Sequence, residues 1–598
     1  MSSQQLEAMS PSGDRVYLTP DALPFELVEQ TGIFFEEKLY TPALNLLFNT
    51  LASGTYASDK AIIPRPQHLA LAATFLVHPS TTTRAKLSEE KEAPHLALRL
   101  LRLLSALVSP RSANLNQAFG FTHSQFSRSG RRYRANENDQ RNELRFDETR
   151  LRSFELAQEA SVWSRAEDFW HAAGWAFNCS VLHPERWQYW QTWLDFICEM
   201  LEDDWSERKK EYDRLQDQKK NCPKSPSSVG KVTRKDRTSR TQEGDLDLLR
   251  ESLIFQYVCA GEGSGKNRRI IRAIFADGST AAVNEFREVF HNELKLPKSS
   301  HRREIAKKRD REEVNIDQEE YGDYLTQDET DEDDSTSMNT NKPQSRAATP
   351  LPDTGKLRRS KRTRRGTRNA SDATPTDPVK ENEHASNTSL THHSGSVSLM
   401  GGLDSLSLRT RLLSILSKVS EVFPEDFTPV AELYHFFIEK IRHLPLPIFQ
   451  AFVNPHVLPH FSDIEQMTLC ELLLLNMIES SAPPSEEEFF TQSKLENCFL
   501  PFAAATASVA DNAKVSILLE SLLMLLADSE EKLDMRPSLR TAVENGIVKR
   551  ADKAQEEMRR SQASRVKESL EWCWLLESGE RLMYLLDLLG PRGHQMAE

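Results

Sequence analysis

A chain of 598 residues is too long for a single hydrophobic core, so two or more domains are expected. Hydrophobic residues make up 38% and charged residues 28%, at a mean hydropathy of −0.56, the balance of ordered domains diluted by solvated polar segments. A net charge of −13 argues against a chain that coats nucleic acid uniformly, although 76 Lys and Arg leave room for local basic patches.

Residues 1–16 read as a disordered N-terminus and 17–218 as an N-terminal helical domain. Helix starts are expected at Thr19-Pro20 and Thr41-Pro42, and Pro64 and Pro66 precede His68–Val77. Pro94 is expected to open His95–Val108, where Leu96, Leu98, Leu100, Leu101, Leu103 and Leu104 are too many for one face. A helix apolar on most sides is buried between neighbours. The series reads as an irregular helical bundle or an α-solenoid of HEAT or armadillo type, without a fixed period. Arg128, Arg131, Arg132 and Arg134, around Tyr133, form an exposed basic loop able to contact phosphates; a solvated connection between helices is the simpler account.

Seven of the nine tryptophans (Trp163, Trp170, Trp175, Trp187, Trp190, Trp193 and Trp205) fall in one stretch. At helical period Ala166, Phe169, Trp170, Ala173 and Phe177 share a face, and so do Trp190, Trp193, Leu194, Ile197 and Leu201. Pro184 suits a first helical position, and Ser164 with Glu167 is a capping-box signature. The spacing predicts an antiparallel helix pair with indoles at the centre of a core, since each buries roughly 150–250 Å². The small run Ala172, Ala173, Gly174 and Ala176 admits a close partner backbone.

A flexible linker is expected over 219–246, then a small, mostly helical extension over 247–296 in which Ser279 or Thr280 caps a helix carrying Val283, Phe286, Phe290 and Leu294. Residues 297–403 are nearly free of large apolar side chains and built from charge blocks, the composition of a disordered linker. Its last basic run, Lys356, Arg358, Arg359, Lys361, Arg362, Arg364, Arg365 and Arg368, suits an import receptor reading an extended peptide; nonspecific DNA or RNA contact is a second use. Ser225, Thr349 and Thr374, each before proline, are candidate phosphosites. A C-terminal helical domain follows over 404–590, with capping boxes at Ser462–Glu465 and Ser485–Glu488, and 591–598 is a tail.

Chemistry is harder to find. Ala260–Asn267 approaches a phosphate-binding loop, but Ala260 replaces the first glycine and Asn267 the Mg²⁺-binding hydroxyl, so a glycine–serine turn is the simpler account. His171 and Cys179 share a helix without a third catalytic partner. The acidic run Asp328–Asp334 lacks the glycine and spacing of a calcium loop. Seven cysteines without a C-x-x-C pair argue against a disulfide framework or zinc site and for a reducing compartment. No signal peptide and no apolar run of ~18 residues is read, so the chain is expected to be soluble, with no membrane association.

No catalytic, cofactor-binding or metal-binding residue is assigned. The expectation is a non-enzymatic nuclear scaffold or adaptor that holds partner proteins on two helical lobes, in a chromatin-associated or DNA-repair and chromosome-maintenance assembly. The charged tether would supply nuclear address and give the lobes wide relative reach. The alternative is a nucleic-acid-binding factor in RNA processing or ribosome assembly, using its basic disordered segments.

Overall fold

The computed structural model describes residues 17–57, 60–122, 155–157, 160–221, 246–260, 263, 265–295, 400–484, 487, 489–529, 533–560 and 565–590. Among these the protein is almost wholly helical, in two parts, 17–295 and 400–590, on either side of the segment 296–399. The expected disordered N-terminus, the tail, and the expected linkers 219–246 and 297–403, apart from 219–221, 246 and 400–403, lie outside the described residues.

The first element departs from expectation. Thr19–Ala22 is not a helix start but a strand (β1), paired in parallel with Lys60–Ile63 (β2) in the register Thr19↔Lys60 to Ala22↔Ile63. A helix begun at Pro20 would place Pro24 in its interior, where a missing N–H and a ring clash break the ladder. The helix instead begins after Pro24, as α1 (Phe25–Glu36), and with α2 (Tyr40–Ala57) supplies the crossover that a parallel pair requires. Next come α3 (Pro66–Phe75), with proline at its first turn, and α4 (Ser88–Leu107). Pro94 does not open α4. The helix starts six residues earlier because the Glu90 carboxylate accepts from the Lys86 and Leu87 amides at 2.7 and 3.1 Å, satisfying donors at its N-terminus. Ala93, Ala97, Leu100, Leu101 and Leu104 are buried and α4 packs against both α2 and α3. A short turn, α5 (Leu115–Ala118), ends this layer.

The tryptophan stretch folds as α6 (Val162–Arg165), α7 (Phe169–Leu182) and α8 (Pro184–Asn221). Phe177 meets Trp187 and Phe169 meets Trp193, the run-back of an antiparallel pair about the break at His183. Trp175, Trp190 and Trp193 are among the largest fully buried side chains. Asp168, not Ser164, caps α7 by accepting from the His171 amide at 2.7 Å; Ser164 is spent inside α6, where its hydroxyl donates to the Ser161 carbonyl. What approaches Gly174 is the Phe286 ring rather than a backbone, so close that a Cβ would overlap it.

Residues 246–295 complete this core. They carry α9 (Leu253–Cys259), α10 (Lys266–Ile274) and α11 (Thr280–Glu285), the last capped by Ser279 through the Ala282 amide. Helix α11 ends before Phe286, yet Phe286 and Phe290 are buried. At the centre stands Glu293, 1% exposed, which accepts from Trp175 Nε1 at 3.0 Å, Trp190 Nε1 at 2.7 Å and Arg186 Nε at 2.8 Å. Arg186 also donates to the Val77 carbonyl and the Thr82 hydroxyl, tying α8 to the turn after α3. Trp163 and Trp170 donate to the carbonyls of Ala70 and Tyr257, so four indoles are paired by hydrogen bonds as well as packed.

The C-terminal part contains α12 (Gly402–Val422), α13 (Val430–Ile441), α14 (Leu446–Val453), α15 (Asp463–Met477), α16 (Gln492–Lys494) running into a π-turn (Leu495–Phe499), α17 (Val509–Asp528), α18 (Pro537–Arg560) and α19 (Arg565–Leu589). The Ser462–Glu465 capping box forms; Ser485 and Glu488 lie outside the described residues. Leu408, Leu412, Ile415, Leu416 and Val419 are buried as one stripe. Helix α17 is central, in contact with α14, α15, α18 and α19.

The two parts meet directly. Arg411 of α12 makes a bidentate pair with Glu202 of α8 at 2.8–2.9 Å and reaches Asp195 at 2.8 Å. Arg409, fully buried, donates to the Ile274 and Ala276 carbonyls and lies 4.1 Å over the Phe177 ring. Phe423 packs on Phe255 at 4.5 Å, and Phe275 stacks on Phe452 at 5.9 Å. The α12 start fits closely too: Gly401, at φ +81°, leaves no room for a Cβ beside Ser180. Wide relative reach of two lobes is therefore not what this body permits. Both parts belong to one compact unit.

Candidate functional site

Every residue singled out from sequence for binding lies outside the described residues: Lys356, Arg358, Arg359, Lys361, Arg362, Arg364, Arg365 and Arg368; Arg128, Arg131, Arg132 and Arg134; and Ser225, Thr349 and Thr374.

The phosphate-loop-like segment is placed in part. The Leu253–Cys259 run before it is a helix, not the strand a phosphate loop follows, and Lys266 opens α10. Asn267 Nδ2 donates to the Phe427 carbonyl at 3.1 Å, a contact between the two helical parts. His171 is likewise structural: its Nδ1 accepts from the Glu167 amide, which leaves Nε2 to donate to the Arg287 carbonyl at 3.2 Å. Burial pushes its pKa down, against the pull of Glu167 and Asp168. Burial pushes the Cys179 thiol well up, so it stays protonated. Among the described residues no group of three or more His, Cys, Asp or Glu side chains converges as metal ligands. Among them, too, no helix is long and apolar enough to cross a membrane.

A cleft of about 340 Å³ opens in the C-terminal part, between the end of α15, the segment 478–484 and the π-turn. That size is at the lower end of small-molecule and side-chain pockets. Ile478, Cys498 and Phe499 line it, the last backed by Phe490, whose ring stacks at 6.0 Å. Leu475, 53% exposed, stands on its wall, and Phe489, 77% exposed, neighbours that stack in sequence. A π-turn widens the helix by one residue and recurs at functional sites; here it presents Cys498 and Phe499 to the cleft.

Two polar clamps fix the walls. Lys494, 8% exposed, pairs with Glu471 at 2.6 Å and donates to the Glu487 carbonyl at 3.0 Å. Glu479 receives Lys549 at 2.6 Å, Lys553 at 2.9 Å and the Ala503 amide at 3.3 Å. Burial alone would push the Glu479 carboxyl up; these bonds outweigh it and hold the group down at about 2. An antiparallel bridge between Ile478 and Ala504 pins the same segment. Behind it, Arg550 is fully buried and donates to the Leu500 and Phe502 carbonyls, and burial lowers its pKa to about 9. The charged groups that line the cleft are paired, Lys494 with Glu471 and Glu479 with Lys549 and Lys553, and the open surface between them is mainly apolar.

Sequence reasoning passed over this cleft. Its one signal was the unbroken run Leu472–Leu475, which no single helix face can bury; Leu473 and Leu474 are buried and Leu475 is left outside. In comparisons with known proteins, no family model matches the chain and no curated protein matches it.

Proposed function

We propose that this protein is a non-enzymatic scaffold that holds partner proteins on its helical body, with the apolar cleft beside α15 as one docking place. The observation that carries the reading is the pairing of an exposed Leu475 on the cleft wall with an apolar floor whose neighbouring charges are already neutralised. Such a surface gains free energy by covering apolar area without having to desolvate unpaired charge. A nuclear setting is supported by the Lys356–Arg368 run, whose eight basic residues in thirteen suit an import receptor. Service in a chromatin-associated or DNA-repair assembly is analogy from architecture.

Leu475→Asp in the full chain tests the docking place, because an exposed position tolerates the change without unfolding. The expected result is a loss of about 30-fold or more in affinity for the partners that the unaltered chain captures, with an unchanged melting curve. Undiminished binding would remove the cleft from the account. Deleting 356–368 should abolish nuclear accumulation while those partners are still captured. If the deleted chain instead retains tight DNA or RNA binding at physiological salt, the nucleic-acid-binding reading gains, with Arg128–Arg134 as its contact.

A further inference from the structure

The C-terminus of α10 ends in carbonyls that its own helix cannot satisfy, as every helix does. Many helices solve this with a nearby glycine or a basic residue in the last turn, but the last-turn Arg272 of α10 is bonded instead to Glu285. Here Ile274 and Ala276 are served by Arg409, more than a hundred residues further along the chain. Among the described residues no carboxylate lies within bonding distance of Arg409; its side chain also donates to Ser405 on its own helix, at 3.2 Å, and its face lies on Phe177. Neither side can be left alone cheaply, since a buried guanidinium without acceptors and buried carbonyls without donors are both strongly unfavourable. Around this centre the complementarity continues. Arg411 meets Glu202 and Asp195, Arg250 meets Asp426 at 3.1 Å, and Phe423 and Phe452 cover Phe255 and Phe275.

We propose that this seam is an interaction surface in its own right, whose partner is residues 400–590 of the same chain, so that a chain cut within 297–388 remains one particle. The covalent connection is then dispensable once the body has formed. The basic address run can be severed from one part, or processed away, without dissolving the scaffold. The inference stands on the seam alone and does not depend on what the cleft binds.

The test uses the full chain carrying one site-specific protease sequence between residues 335 and 345. After complete cutting, both pieces should co-elute at the mass of the intact chain at sub-micromolar concentration, and melt in a single transition whose midpoint now rises with protein concentration. Pieces that separate under native conditions would overturn the proposal. Two further variants locate the holding force. Arg411→Ala, at a partly exposed ion pair, should weaken association of the cut pieces at least tenfold while the uncut chain stays folded. Arg409→Met in the cut chain should release the pieces outright. Cut pieces that hold together equally well in both variants would overturn the assignment of the seam to these arginines.

Discussion

Removing the Glu293 carboxylate leaves Arg186 charged and buried beside two indole N–H groups that have lost their acceptor. Glu293→Ala should therefore cost about 3–5 kcal/mol, as expected when one partner of a buried pair is deleted, measured by urea unfolding followed through tryptophan fluorescence. Glu293→Gln, whose amide oxygen still accepts, should lose less. The indoles were legible as core from their helical period, whereas Glu293 was not, because a lone buried carboxylate has no periodicity and its partners lie over a hundred positions away. Two histidines give a pH signature. Burial, with Arg65 nearby, pushes His68 down to about 4; burial, with Arg84, Arg186 and Arg165 around it, pushes His78 down to about 3. Both are neutral when folded, while unfolding returns them to an ordinary 6.5, so only the unfolded chain takes up their protons as pH falls below that value. Their contribution is complete above 6.5 and should decline toward pH 4 by about 1.4 kcal/mol per pH unit per histidine. A pH series of unfolding free energies should show the decline, and His68→Leu should make it shallower by one histidine.

Caps and close approaches decide where the helices begin and how near they come. Asp168→Ala should destabilise by about 1 kcal/mol through loss of the α7 cap, and further through loss of the pair with Arg269; Asp168→Asn keeps an acceptor and should lose only the second part. The Ser164–Glu167 signature pointed four residues too early because the pattern is local, and the choice between two adjacent cap candidates is made by where Phe169 and Trp170 must be buried. The same limit explains β1: Thr19–Ala22 is exposed along its whole length, and only its partner β2, 38 residues past the end of β1, makes it a strand. Helix α18 offers a reversal of sign. Gly→Ala inside a helix ordinarily stabilises by about 0.5–1 kcal/mol, but a Cβ at Gly546 would overlap the Leu500 carbonyl oxygen that Arg550 also binds. Gly546→Ala should therefore lower the melting temperature, read by calorimetry.

Two helical parts about a charged middle could be read from composition, since packed and unpacked segments differ in apolar content over tens of residues. Their union could not. Arg409 and Arg411 looked like two ordinary charges beside a leucine stripe, and only three-dimensional proximity turns them toward α10 and α8. One outcome of that arrangement concerns the order in which the polypeptide is made. Residues 17–295 leave the ribosome first, with Phe177, Phe255 and Phe275 still bare and the Ile274 and Ala276 carbonyls unmet. Roughly a hundred more residues must follow before α12 emerges, a wait of about 5–20 s at ordinary translation speed. During that interval the nascent chain is a natural client for chaperones, and a transcript that stops inside the middle segment would yield a product that never outgrows that dependence.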